Sequence, residues 1–158
     1  MTLFESLRFR KARVLFVCVG NSVRSQMAEG FANAMGADIL EAESAGLTPA
    51  PKVASKTVLV MYEKGVLLPR RSPKALQSLE ATSFDIVVNM SGFALPKISG
   101  IEVPMPVKDP MGKDLAEFRR VRDQVERGVQ DLIEHLRFAR EAPASLGVGE
   151  RAAAASVR

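Results

Sequence analysis

Val14-Leu15-Phe16-Val17-Cys18-Val19-Gly20-Asn21-Ser22-Val23-Arg24-Ser25 sets an apolar run directly before the only cysteine of the chain and an arginine and a serine shortly after it. The run reads as a buried strand, and Arg24-Ser25-Gln26-Met27-Ala28-Glu29 reads as the first turns of a helix. The loop between them points its amides, and the helix N-terminus, at one spot and favours an anion there. The same field favours a thiolate over a thiol, which makes a cysteine at that point a nucleophile. Arg24 can grip two oxygens of a tetrahedral oxyanion through its planar fork. Gly20 lets the backbone approach closely, and Asn21 tolerates the left-handed conformation that such a loop often needs. The competing reading of Cys18 is an ordinary buried cysteine at a strand end. Arg24 and Ser25 at this spacing outweigh it.

Outward from this stretch, short apolar runs at 13–18, 39–44, 84–89 and 101–107 alternate with helical stretches, the pattern of an α/β domain with a parallel sheet. The expected architecture is three-layer αβα with a small four-stranded parallel sheet and a phosphate-binding loop after strand 1. The first helix is expected over 24–35, presenting Met27, Phe31, Ala34 and Met35 to the sheet and stopped by Gly36. A second is expected over 52–64, ending at Gly65. Ser72-Pro73 reads as the cap and first turn of a short third helix. Arg70-Arg71 before it reads as a solvated turn, the alternative being contact with a substrate phosphate. In the last helix Asp114 is the cap and Glu117 completes a capping box. Leu115, Phe118, Val121, Val125, Val129, Leu132 and Leu136 form its apolar stripe, and the face from Arg119 to Arg137 reads as solvent-exposed.

A chain of 158 residues suits one domain able to bury a substantial core. The expected division is an N-terminal extension over 1–12, the domain over 13–140, and a disordered Ala/Pro/Ser/Gly tail over 141–158. No apolar run approaches a membrane span, and 1–13 lacks the apolar core of a signal peptide. One unpaired cysteine excludes a disulfide framework and suits a reducing cytoplasm. The net charge of +4 is modest and reads as a solvated surface, the alternative being steering of phosphorylated or acidic substrates. No basic stretch is interleaved with aromatics, so neither nucleic acid nor membrane is an expected partner. His135, the only histidine, reads as a surface residue near a helix end. No metal or other cofactor is expected.

The loop 18–25 resembles that of the low-molecular-weight protein tyrosine phosphatase family, which includes thioredoxin-coupled arsenate reductases. Asp109-Pro110, where that family keeps its general acid, and Ser44-Ala45-Gly46 after the second strand are similar as well. The resemblance implies Cys18, Arg24 and Asp109 as catalytic residues. It implies Val19, Gly20, Asn21, Ser22, Val23, Arg24 and Ser25 as the phosphate-binding loop. Gln26-Met27-Ala28-Glu29-Gly30 looks more like the reductase branch, since the phosphatases usually carry proline after the loop serine. Three departures stand against the matches. Val23 occupies the place of a second cysteine before the loop arginine. Asn89-Met90-Ser91-Gly92 stands where the reductases carry a further cysteine pair. Met111-Gly112-Lys113 follows Asp-Pro in place of the aromatic residues that wall a phosphotyrosine ring.

The reading that uses every matched residue is a phosphate-monoester phosphatase working through a phosphocysteine, on a phosphorylated protein or a small phosphate ester. The alternatives are arsenate reduction resolved by an external thiol and an oxyanion- or phosphopeptide-binding module without turnover. Retention of both Cys18 and Asp109 argues against the last, because binding needs neither a nucleophile nor an acid.

Overall fold

Strand β1 (Ala12–Cys18) is buried along nearly its whole length, and a run of residues apolar on both faces fits only a central strand of a parallel sheet. The computed structural model describes residues 1–79 and 82–142. In it, β1 is flanked by β2 (Leu40–Gly46) and β3 (Ile86–Asn89), and β4 (Ile101–Pro104) adds to the far side of β3. The order is β2-β1-β3-β4 and every pair is parallel. The register sets Cys18 opposite Gly46, Val17 opposite Asn89, and Asn89 opposite Pro104. The carboxyl ends of all four strands therefore gather at one edge, and the connections diverge at β1, where open α/β sheets bind ligands.

Helices α2 (Arg24–Met35), α3 (Ser55–Tyr62) and α4 (Leu115–Glu141) cover one face of the sheet. Val14, Phe16 and Val88 of the sheet pack there against Met27, Phe31, Met61, Phe118 and Val125. The other face, Leu15, Val17 and Val87, is covered by Leu76, Leu79 and Phe84. The arrangement is αβα, with the second helical layer reduced to a 3-10 turn at Leu76–Leu79. A short helix α1 (Leu3–Ser6), capped reciprocally by Thr2 and Glu5, precedes β1, and Leu7 after it is buried in the core. The expected tail beyond Ala142 lies outside the described residues. Among the described residues, no helix is long and apolar enough to cross a membrane.

Several expectations are corrected by competing hydrogen bonds. No helix starts at Ser72-Pro73, because the backbone of Lys74 is committed on both sides. Its N–H donates to Asn21 Oδ1 and its carbonyl accepts from Gly46. Helix α3 starts at Ser55 rather than Lys52, since the Lys52 carbonyl accepts from Ser22 Oγ and the Ala54 N–H donates to the same hydroxyl. In α2, Ala34 is exposed, and Ala28 and Ala32 line the buried face with Met27 and Phe31. Gly36 ends α2 at φ −124°, not in the left-handed region, and a Cβ there would meet Ile133 Cδ1 at 3.0 Å. Asp114 caps α4 through the Glu117 N–H at 3.0 Å, but the Glu117 carboxylate pairs with Arg120, so the box is half-formed. Arg122 is buried rather than solvated. It donates to the Val60 carbonyl and to Glu63, joining α4 to α3. Arg71 stays exposed, as expected of a turn, but its guanidinium pairs with the buried Glu29 of α2.

Asp85 ties the first residues to the sheet at the end away from Cys18. Both its oxygens accept from Arg10, at 2.7 and 2.8 Å, and Oδ2 also accepts the Arg13 N–H at 2.8 Å. The Arg10 guanidinium, helped by that N–H, holds the Asp85 carboxyl below the usual carboxylate range. A depressed carboxyl stabilises the fold above its unfolded-state pKa and loses that contribution as pH falls through the folded one. Arg10 is half-exposed, so Asp85→Asn is expected to cost about 1 kcal/mol. Thermal melts should show a Tm about 2–4 °C lower at pH 6–7, with the difference vanishing on acidification below the ordinary carboxylate range.

Candidate active site

The loop between β1 and α2 is held open by the bonds its carbonyls make. Those of Cys18, Val19 and Gly20 accept from the N–H groups of Leu47, Thr48 and Ala50, at 3.1, 2.8 and 2.9 Å. Among the described residues, the N–H groups of Gly20 to Val23 find no backbone acceptor. Asn21 sits at φ 48°, the only non-glycine residue with positive φ among those described. Its amide nitrogen donates to Ser25 Oγ at 2.8 Å and Ser44 Oγ at 2.9 Å, while its oxygen accepts from Lys74 N and Gln26 Nε2. A left-handed turn between residues of ordinary helical or extended sign is the geometry of an anion nest.

Cys18 lies at the base of this turn, with Sγ 2.9 Å from Ser25 Oγ. Because Ser25 accepts from Asn21, its own proton is free to point at the sulfur. Arg24 is 4% exposed. Its Nη1 donates to the carbonyls of Met90, at 3.1 Å, and Val107, at 2.9 Å, and Nη2 lies 3.5 Å from Asp109 Oδ2. Arg24 Nε has no partner. An unpaired, buried N–H on a cation is costly, and an oxyanion on the loop would remove that cost. Asp109 is about half-exposed, and its Oδ1 accepts the Met111 N–H at 3.0 Å in a tight turn over the loop.

The structure places Cys18 beside Ser25 and Arg24 beside Asp109, with Val19 to Ser25 forming the turn that follows Cys18. Sequence reasoning missed what anchors them. The carbonyls of Met90 and Val107 carry no residue-type signal, because any side chain offers the same group. Glu29 and Arg71 were legible only as separate charges. His135 is exposed, its ring nitrogen on the Asp131 carbonyl, remote from Cys18 in the chain and on the far end of α4.

The model of the low molecular weight phosphotyrosine protein phosphatase family matches residues 13–142. The chain belongs to that family. It is 33% identical over 132 residues to the glutaredoxin arsenate reductase of Synechocystis sp., covering 77% of this chain and 95% of that protein. A solved arsenate reductase in its phosphate-binding state superposes with a TM-score of 0.72 at 32% identity, over 79% of this chain and 98% of the other. The low molecular weight protein tyrosine phosphatase of T. tengcongensis does so at 0.66 and 27% identity, over 79% and 99%. Both branches of the family are enzymes, and the chain is an enzyme of this family.

Gly46 of this family member is irreplaceable by geometry. A Cβ there would lie 2.7 Å from the Val19 carbonyl oxygen and 2.9 Å from Asn21 N, so the loop backbone itself would have to move. Gly46→Ala is expected to weaken binding of inorganic phosphate at least tenfold while the far-ultraviolet circular dichroism stays native. Titration calorimetry with phosphate checks this, and unchanged affinity would show that the loop is not held by β2.

Proposed function

We propose that the protein hydrolyses phosphate monoesters through a phosphocysteine at Cys18. The observation that carries this reading is the pairing of Cys18 with Ser25 at 2.9 Å and of Arg24 with Asp109 at 3.5 Å at the two ends of one loop, in a chain with a single cysteine. The Cys18 thiolate attacks phosphorus in line with the ester oxygen, forming an S–P bond as the P–O bond breaks. Asp109 gives its proton to the departing oxygen, which leaves as the alcohol. The loop N–H groups and Arg24 hold the equatorial oxygens, the electrostatic contribution that usually weighs most. Water then attacks phosphorus, Asp109 takes its proton, and the S–P bond breaks to return the thiolate and release inorganic phosphate. Ser25, 2.9 Å from the sulfur, stabilises the leaving thiolate in this second step.

A second reading is favoured by the relatives named arsenate reductases. Cys18 would displace hydroxide from arsenate, which leaves as water once protonated. An external thiol would then attack the Cys18 sulfur, the As–S electron pair would pass to arsenic to give arsenite, and Cys18 would remain in a mixed disulfide for a second thiol to reduce. Glutaredoxin or a low-molecular-weight thiol fits that role, since nothing in the chain can form an internal disulfide. Either reading requires Cys18 reduced, which fits a cytoplasmic location.

Parallel assays separate the two. Under the hydrolytic reading, p-nitrophenyl phosphate and alkyl phosphates are turned over with no added thiol, and Cys18→Ser abolishes turnover while retaining phosphate binding. Asp109→Asn should slow alkyl phosphates, with poor leaving groups, by about 10²–10⁴-fold and the activated aryl ester much less. Arsenite production that depends on an added monothiol, without ester hydrolysis, would reverse the order of the two readings.

A further inference from the structure

Beside the anion loop, a cavity of about 350 Å³ opens between the segment leading into α3 and the turn after Asp109-Pro110. It shares Ser22 with the loop, and its other walls include Lys52, Lys56, Met111, Gly112 and Phe118. The walls are fixed to the catalytic elements. Ser22 Oγ donates to the Lys52 carbonyl at 2.9 Å, and the Met111 N–H donates to Asp109 Oδ1. The cavity therefore adjoins both the anion loop and the turn that carries Asp109. Its volume is that of a small-molecule site, not of an extended macromolecular groove.

The character of the cavity is cationic and aliphatic. Ala50, Pro51, Ala54 and Met111 supply short or flexible apolar surface, and no carboxylate lines it. Its one aromatic residue, Phe118, is 1% exposed and sits beneath Lys56, whose Nζ is 5.7 Å from the ring centroid. The ring is thus covered by a cation and is not free to stack on a substrate. Lys56 Nζ makes one hydrogen bond, to the Lys113 carbonyl at 2.6 Å, which leaves two N–H groups and the full charge. Lys52 has no ion-pair partner among the described residues. Two ammonium groups with no carboxylate between them attract a second negative charge on the substrate.

We propose that this cavity receives the non-transferred part of the substrate, and that Lys52 and Lys56 select an aliphatic phosphomonoester carrying a second anionic group, a carboxylate or a phosphate, over an aryl phosphate. The inference rests on the hydrolytic reading above and names its substrate class. Both lysines are exposed, so each contributes modestly. A preference of about tenfold for the charged ester is expected at low ionic strength, and it is screened by salt.

The test uses ω-carboxyalkyl phosphates of increasing chain length, their methyl esters, α,ω-alkane bisphosphates and p-nitrophenyl phosphate. The readout is the ratio of kcat/KM for each charged ester to that of its neutral counterpart. At one chain length the wild-type ratio should reach about ten and fall towards one at 0.5 M salt. Lys52→Gln should lower it about threefold and the Lys52→Gln/Lys56→Gln double variant to near one, while Lys52→Arg keeps it. A ratio near one at every length, or an unchanged ratio in the double variant, overturns the inference. If no ester is hydrolysed, the hydrolytic reading fails on its own. Calorimetric binding to the Cys18→Ser chain then decides the subsite. Tighter binding of the charged ester than of its methyl ester supports it, and equal binding overturns it.

Discussion

A buried guanidinium held by neutral carbonyls is the constraint around which this molecule is organised. Arg24 leaves water almost completely, and its Nη1 is satisfied by the Met90 and Val107 carbonyls. Carbonyl dipoles orient a cation but do not neutralise it, and a buried charge without full compensation is costly. Asp109 at 3.5 Å is a partial, half-exposed counter-charge. The site is therefore complete only when an anion meets Nε and the loop amides. Sheet register enters here, because Met90 follows the residue that pairs with Val17, and its N–H donates to the Val17 carbonyl. A one-residue slip of β3 would turn the Met90 carbonyl away and leave Nη1 with one acceptor fewer.

The loop depends on a second hub. Asn21 uses its side-chain amide on four partners drawn from α2, β2 and the strap before the 3-10 turn. Each bond is modest alone, about 1 kcal/mol net, but together they fix a left-handed residue that costs free energy anywhere else. The strap is fastened again by Arg71 on Glu29, and α3 is fastened by Ser22. The rigid cradle is thus made by segments distant in sequence, whereas Asp109 sits on a half-exposed turn.

The parts of this arrangement legible in the sequence are those in which residue type dictates chemistry. The apolar run 14–17, the lone Cys18 six residues before Arg24, and the left-handed tolerance of Asn21 identify strand, loop and anion nest without further information. Gly46 was legible as part of Ser44-Ala45-Gly46, though its reason, the Val19 carbonyl against its Cα, is purely three-dimensional. Ser72-Pro73 misled for the opposite reason. A cap and a proline are genuine helix signals, but Asn21 and Gly46 claim the backbone of Lys74, and two long-range bonds outweigh local propensity. Arg122 was read from the mixed charge of a helix face and Arg71 from a polar turn, and neither pattern distinguishes a solvated arginine from one whose carboxylate partner lies on another element.

Kinship with arsenate reductases and the proposed hydrolysis are not in conflict, because the two chemistries share their first step. In both, Cys18 would displace an oxygen from a tetrahedral oxyanion held by the same amides and the same arginine. They part at the second attack, by water on phosphorus or by a thiol on sulfur. The positions from which an internal thiol would attack are occupied otherwise here. Val23 is buried in the core, and Ser91 spends its hydroxyl on Asn89 Oδ1 at 2.6 Å while accepting from Phe93 N. A hydroxyl so placed can brace the turn after β3, but it cannot donate the electron pair that reduction requires. Hydrolysis asks for nothing beyond water and a carboxylate to deprotonate it, and the chain supplies that carboxylate beside Arg24. The one-cysteine composition thus bears on the second step alone, and there it favours water over sulfur unless a partner brings the thiol.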